Sequence, residues 1–410
     1  MKYREGISET GRRFVPLLFA GDINIYSVAR AFNEAYGCVA KGYGKAQSIF
    51  CMDSNILDYS CEPKADEPET FRKLVEAFAA ENAEKTVILM GCGDSYVELA
   101  ARFRDELPPN VIAPYIDVEL MHRLQDKEQF YALCERTGVD YPLTFVHRNS
   151  MGADFELPFG GPFIVKPADG IEYWKHPYPT QKKVYKVETF SEVKSVLGDI
   201  YGAGYGGAVI IQHFIPGDDS FMRVLTSYSD RNGKVTMMCL GHVLLEEHTP
   251  HGIGNHAVIL TETDRELMER YKALLEELHY VGFSNFDIKY DSGDGKFKAF
   301  EINTRQGRSN YYVTASGANI ARCVVRDRID GADEPLELVD TDSLWMVTPH
   351  RVAFDYVKGD GYKAEMKRLI AEGKVKNPLL NPAETSLKRK LRIMKNQLGH
   401  YYKFAKYLGK

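Results

Sequence analysis

Twice in the first hundred residues a short apolar run ends at a glycine-containing turn and gives way to helical spacing. That order commits this part of the chain to strands joined by helices. Residues 14–20 are apolar and stop at Gly21-Asp22, after which Ile25, Val28, Ala29 and Phe32 recur at helical spacing. Residues 86–90 read as a buried strand, Gly91-Cys92-Gly93-Asp94 as its turn, and residues 96–104 as a helix. The first 120 residues are therefore expected to form an open α/β domain. Gly91 and Gly93 supply only part of a dinucleotide fingerprint, and a tight turn is the simpler reading because no third glycine opens the helix.

The pattern then changes. A helix is expected from Asp126, whose carboxylate can cap it while Gln129 reciprocates, with Phe130, Leu133 and Cys134 on its apolar face. Residues 163–166 form a short buried strand stopped by Pro167, and a long polar loop, residues 168–183, separates it from the strand-like residues 184–187. From Ala208 the strands read as antiparallel: 209–212, 221–228, and 235–245 after an Asn232-Gly233 hairpin turn. A helix over 264–280 precedes two more strands, 284–290 and 296–303, joined by Ser292-Gly293-Asp294-Gly295. Past Asp330 an acidic stretch, 330–342, gives way to a basic tail, 385–410, carrying Tyr401, Tyr402, Phe404 and Tyr407.

Bulk properties set only outer limits. A net charge of -5 and a pI near 6.2 give no overall attraction to nucleic acid, so no nucleic-acid partner is expected. No segment reaches the ~18 consecutive apolar residues of a membrane helix, and the N-terminal apolar run is too short for a signal peptide. A cytoplasmic protein is expected. The cysteines at 38, 51, 61, 92, 134, 239 and 323 include no C-x-x-C pair and read as small apolar fillers.

The densest chemistry lies in the last strand pair, F-D-I-K-Y followed by F-E-I-N-T-R-Q-G-R. Strand alternation puts Glu301 and Asn303 on one face, and the hairpin brings Asp287 onto the adjacent strand. Two carboxylates and an amide oxygen suit Mg2+, especially where phosphates complete its shell. A polar hairpin face paired with lysines is the alternative reading of this motif alone. Lys166 ends a buried strand, where an ammonium is costly without an anion, and Lys127 near a helix start is a second candidate cation. Each lysine by itself also reads as a surface residue. The segment V-I-I-Q-H-F-I-P-G-D-D sets Gln212 and the following backbone at a strand end, suited to the edge of a flat base, with Asp219 positioned to accept from ribose hydroxyls.

This ordered set resembles the ATP-grasp superfamily over residues 116–320. The phrases Y-S-V-A-R-A-F with A-Y-G, D-K-E-Q-F-Y-A-L-C-E, V-K-P-A-D, I-Q-H-F-I-P-G-D-D and E-I-N-T-R-Q-G-R are similar to the carboxylate–amine ligase branch that includes the D-aspartate ligases of peptidoglycan cross-bridge synthesis. The resemblance implies an α/β (α+β) ATP-grasp fold. Its expected parts are an N-terminal open α/β (pre-ATP-grasp) domain (1–120), a small lid subdomain (121–205), a core with metal-binding strands (206–330) and a C-terminal extension with the basic tail (331–410). It implies that Lys127 and Lys166 touch ATP phosphates, that Gln212 with the backbone of His213 and Ile215 holds adenine, and that Asp219 holds ribose. Asp287, Glu301 and Asn303 would bind magnesium, two ions in this superfamily's pattern. Arg305 would lie beside the transferring phosphoryl group and Arg308 beside the donor carboxylate. One departure stands out: the mobile phosphate loop of the family is glycine-rich, whereas residues 168–183 hold only Gly170 and offer Trp174, His176, Lys182 and Lys183 instead.

The implied reaction activates a carboxylate as an acyl phosphate, which an amine then attacks to form an amide. The partners are an amino-acid donor and an amine acceptor, with D-aspartate and a peptidoglycan precursor peptide as the first choice. A ligase making another small peptide or natural product, and a non-catalytic nucleotide-binding protein, are the competing readings, the last disfavoured by the intact acidic set. His248, His251 and His256 lie in one glycine-containing loop, open to three readings: a substrate-positioning loop, a plain surface loop, or a zinc site. The basic tail reads as a terminal helix docked through its aromatics or as a peripheral membrane contact. Because every candidate catalytic residue precedes 320, the tail is expected to be dispensable for acyl-phosphate chemistry.

Overall fold

A computed structural model describes residues 2–250 and 252–409. The chain divides into two compact units, one of residues 1–121, 218–287 and 303–410, the other of 122–217 and 288–302. The 121–205 segment thus belongs almost wholly to the second unit, the 331–410 segment to the first, and 206–330 is shared between them.

In the first unit the N-terminal residues form a parallel sheet. Its order is Leu57–Cys61, Ala40–Gly44, Arg13–Phe19, Thr86–Gly91, Val111–Ile112, with the short Gly6–Ile7 pairing antiparallel to Arg13–Phe19. Its α/β character follows the expectation, because a parallel ladder requires a crossover between neighbouring strands. The helix Ile23–Tyr36 supplies the first crossover. Asp22 caps it by accepting from the Asn24 N–H, and Gly37 at φ 64° ends it. Gly91 is demanded by packing: a Cβ there would lie 2.7 Å from the Val97 backbone nitrogen.

The rest of this unit carries an antiparallel run. Met222–Ser229 pairs with Val235–Glu247, which pairs with Asn255–Glu262, which pairs with Leu344–Met346. Asn232-Gly233 makes the first turn, where the Asp230 carboxylate accepts from the N–H groups of Asn232 and Lys234. The helix Arg265–Glu277 begins at Asp264, which accepts from the Leu267 N–H. Gly282–Asp291 borders Met222–Ser229, and Lys296–Asn303 forms a hairpin with it. The distal part of that hairpin, residues 288–302, belongs to the second unit.

The second unit holds an antiparallel sheet ordered Thr144–His147, Val209–His213, Phe163–Pro167, Tyr185–Val187. The helix Phe190–Gly202 contributes Val193, Leu197 and Ile200 to a core with Phe163, Val165, Val209 and Ile211. Asp126 caps Lys127–Thr137 by accepting from the Gln129 N–H. A reciprocal capping box joins Thr189 and Glu192 at the start of Phe190–Gly202. Residues 168–183 are more ordered than a polar loop. They include the short helix Gly170–Tyr173, and three tyrosine hydroxyls tie the segment down. Tyr173 Oη lies 2.7 Å from Tyr178 Oη and 2.9 Å from Tyr185 Oη, Tyr178 also bonds Tyr185, and Tyr185 Oη accepts from the Lys182 N–H at 2.8 Å.

Cys38, Cys51, Cys92, Cys134 and Cys239 are buried, and burial pushes the thiols of Cys38, Cys51 and Cys134 up to about 12. Cys61 is exposed. Among the described residues no helix is long and apolar enough to cross a membrane.

Candidate active site

In the second unit the antiparallel sheet gathers cations. Lys166 sits half-buried on Phe163–Pro167 opposite Ile210. Burial, then the neighbouring Lys127 and Lys183 charges, lower its pKa to about 7 against a partial counterweight from Glu301. A phosphate beside such a lysine would restore its proton and offset its desolvation. Lys127, the first residue of Lys127–Thr137, reaches Glu301 with Nζ 2.6 Å from Oε2. Tyr131, one turn along the same helix, donates to the Phe300 carbonyl at 2.9 Å.

Gln212 is buried, and its amide donates to Thr144 Oγ1 at 2.8 Å. The His213 N–H donates to the Leu143 carbonyl, while its Nδ1 lies 2.9 Å from the Gly160 carbonyl. The Ile215 carbonyl accepts from Lys289 Nζ at 3.0 Å. Lys289 and Lys186 also lie over the Phe214 ring, at 5.7 and 4.0 Å from its centroid. Neither lysine carried a role in the sequence reading. For Lys289 a signal was present, since it follows Asp287 by two residues and strand alternation sends both to one face.

In the first unit Asp287, Asn303, Arg305 and Asp94 form a chain of polar contacts. Asn303 Nδ2 donates to Asp287 Oδ2 at 3.3 Å, and Asn303 Oδ1 accepts from Arg305 Nη2 at 3.3 Å. Arg305 grips Asp94 with Nε 2.6 Å from Oδ1 and Nη2 3.2 Å from Oδ2. Burial works against the Arg305 charge, but Asp94, Asp287 and Asp22 together outweigh it and raise its pKa. Gln306 anchors the same segment by donating to the Gly91 carbonyl at 3.0 Å.

Arg308 Nε lies 3.8 Å from Asp22 Oδ2. Burial raises the Asp22 pKa, partly offset by Arg308 and its backbone bond to Asn24. Asp22 and Asp94 follow Arg13–Phe19 and Thr86–Gly91, the neighbouring strands from which the chain winds in opposite directions. Ligands of open α/β sheets bind at this kind of switch point. By sequence both aspartates read as turn residues; an acid placed twice just beyond a buried strand is the available signal.

Asp219 accepts from the Glu246 N–H at 2.8 Å and lies 2.9 Å from His248 Nε2. The three loop histidines do not act alike: His248 binds Asp219, whereas His256 is buried with Nδ1 3.3 Å from Ser309 Oγ. Burial, then Arg308, lower the His256 pKa to about 4. His251 lies outside the described residues. Among the described residues no three His, Cys, Asp or Glu side chains converge as a preformed metal cage. The oxygen-rich Asp287–Asn303 pair fits a hard cation that takes the rest of its shell from phosphate.

No family model matches the chain. It is 39% identical over 409 residues to D-aspartate ligase of Enterococcus faecium, covering 96% of both chains. It is 24% identical over 302 residues to the carbamoyl phosphate synthase large chain of Deinococcus radiodurans, covering 71% of this chain and 28% of that one. Among solved structures, the fold is similar to the biotin carboxylase domain of Hydrogenobacter thermophilus 2-oxoglutarate carboxylase, determined with MgADP, ADP and bicarbonate. The TM-score is 0.59 at 12% identity, with 80% of this chain and 73% of that one covered. It is also similar to the N5-carboxyaminoimidazole ribonucleotide synthetase of Thermus thermophilus, with TM-score 0.55, 16% identity, and 80% and 81% covered.

Proposed function

Because this chain belongs to the D-aspartate ligase family of ATP-grasp carboxylate–amine ligases, we propose that its donor is D-aspartate and its acceptor an amine of a peptidoglycan precursor peptide. The chain is an ATP-dependent ligase that forms carbon–nitrogen bonds. In the proposed reaction the γ-phosphoryl group passes to the donor's side-chain carboxylate, the acceptor amine attacks the resulting acyl phosphate, and phosphate leaves as the amide forms.

The observation that carries the nucleotide part is Lys166, whose pKa of about 7 beside Lys127 and Lys183 supports a phosphate site. Lys166 and Lys127 would bind phosphate oxygens. Gln212, whose amide rests on Thr144, and the backbone of His213 and Ile215 would face the base, with Asp219 toward the ribose. Asp287, Glu301 and Asn303 would hold magnesium, two ions in our assignment, which when bound neutralises phosphate charge. Arg305, held by Asp94, would stabilise charge on the transferring group. Arg308 beside Asp22 supports recognition of an amino acid, the guanidinium facing its free carboxylate and the aspartate its ammonium. The free cysteines support a reducing, cytoplasmic setting.

Hydroxylamine tests the donor without requiring an acceptor. With ATP and magnesium, D-aspartate should yield a hydroxamate and L-aspartate far less. Hydroxamate from a different acid, and none from either aspartate, would overturn the donor assignment and leave the ligase class in place.

A further inference from the structure

The C-terminal helix Leu387–Leu408 has two apolar faces, and the fold uses one. Arg389, Ile393, His400 and Phe404 are buried against the first unit. On the far side Leu387, Leu391, Met394, Leu398 and Tyr402 are 72%, 52%, 54%, 60% and 69% exposed. At ~100° per residue these five and Tyr401 lie within an arc of about 100°, running about 22 Å along the axis. Beside the stripe, Met394 also lines a shallow groove with Leu379, Leu380, Pro382 and Ile393, where Leu380 is a further exposed leucine. An apolar strip of this length is uncommon on a surface with no partner.

Charge decides what covers it. The helix carries Lys388, Arg389, Lys390, Arg392, Lys395, Lys403 and Lys406 and no acid, within a chain of net charge -5. Four of these make ion pairs within the fold: Arg389 with Glu384, Arg392 with Asp53, Lys403 with Glu247, and the exposed Lys388 at 4.0 Å from the same Asp53. Lys388, Lys390, Lys395 and Lys406 are exposed, and the helical wheel sets Lys390 along one border of the stripe and the other three along the opposite border. A second copy of the helix is a poor match. With the leucines at the seam, Lys388, Lys390 and Lys395 would occupy the flanking positions of both helices and repel. The Tyr401 and Tyr402 rings at one end, and lysines whose stems can run along the stripe while their heads reach outward, suit a water–lipid boundary.

We propose that this face of the C-terminal helix docks the enzyme reversibly on an anionic lipid bilayer, the leucine stripe entering the headgroup boundary and the flanking lysines meeting lipid phosphates. The proposal rests on the helix alone and stands apart from the choice of donor and acceptor.

Cosedimentation of the full chain with vesicles tests it. The protein should pellet with phosphatidylcholine–phosphatidylglycerol vesicles, be released by salt, and ignore pure phosphatidylcholine. Leu391→Ser with Leu398→Ser, and separately Lys390→Glu with Lys395→Glu, should each lower partitioning about tenfold or more. Both sites are exposed, so ATP-dependent hydroxamate formation should persist and report an intact fold. No binding to anionic vesicles, or binding unchanged in both variants, overturns the proposal. A solution dimer abolished by the leucine variant would assign the face to a second copy instead. Binding to a glutamate-rich amphipathic peptide without vesicle binding would assign it to an acidic protein partner, and either result rejects the bilayer.

Discussion

Arg305 meets both oxygens of Asp94, with Nε 2.6 Å from Oδ1 and Nη2 3.2 Å from Oδ2, across 211 residues of sequence. The fork aims a buried guanidinium at Asn303, one of the residues assigned to magnesium. Only a planar, two-pronged donor makes both contacts. Arg305→Lys is therefore expected to lower kcat about a hundredfold while changing the KM for ATP little. Asp94→Asn should give a smaller kcat loss of the same kind, and steady-state kinetics of the two variants checks both.

Lys166→Met is expected to weaken nucleotide binding about a hundredfold, roughly the worth of a charge-assisted phosphate contact. Its melting temperature should hold or rise, because the substitution removes a half-buried cation whose charge is desolvated. The pH dependence has a definite sign. With the folded pKa near 7 against an unfolded value of 10.5, the unfolded chain binds more protons between those limits. This lysine's penalty is therefore full below pH 7 and is relieved as pH rises toward 10.5, while nucleotide affinity falls above pH 7. Calorimetric titration with ADP from pH 6 to 9 should show that fall in the parent and lose it in Lys166→Met.

Glu301→Gln is expected to cut ATP turnover by about a thousandfold or more, as loss of an assigned magnesium ligand, with little cost to the fold. The Glu301 side chain is 44% exposed, and a partly exposed pair such as Lys127–Glu301 contributes about 1 kcal/mol or less. Near-normal turnover at ordinary magnesium concentrations would remove Glu301 from the metal site.

His242, His256 and His400 all have pKa values lowered to about 4, chiefly by burial. The unfolded chain protonates such residues near 6.5, so the stability of holding them neutral is fully present above that pH and drains away as pH falls toward 4. Thermal melts should show a steep loss over this window. His400→Gln, which removes one titrating group, should make the loss shallower.

The C-terminal helix is expected to be dispensable for acyl-phosphate chemistry, but its packing makes it necessary for the fold. Arg389 is 1% exposed, pairs with Glu384 at 3.3 Å, and donates to the Phe50 and Met52 carbonyls. Arg389→Ala should cost about 3 kcal/mol, because it leaves Glu384 buried without its cation. Truncation before Lys388 also strips Ile393 and Phe404 from the core and should abolish cooperative unfolding in denaturant melts.

Much of the local structure was legible in the residues themselves. The cap at Asp126, the helix starting near 264, the Asn232-Gly233 turn, and the strand–turn–helix units of the N-terminal sheet depend on neighbours in sequence and on the period of apolar residues. The hairpin carrying Asp287, Glu301 and Asn303 was legible for the same reason. The order of residues 168–183 was not, because it hangs on three tyrosine hydroxyls rather than on glycine or proline.

The sequence by itself determined the two kinds of sheet, the strand pair bearing the candidate metal residues, and the chemistry those residue types can perform. Only the tertiary structure decided that the Lys166 pKa is lowered to about 7, that Arg305 is gripped by Asp94 and Arg308 neighbours Asp22, and that the terminal helix buries one apolar face and presents the other. Alternation and capping act over a few residues. Desolvation, ion pairing and the choice of buried face depend on which distant segments fold against one another.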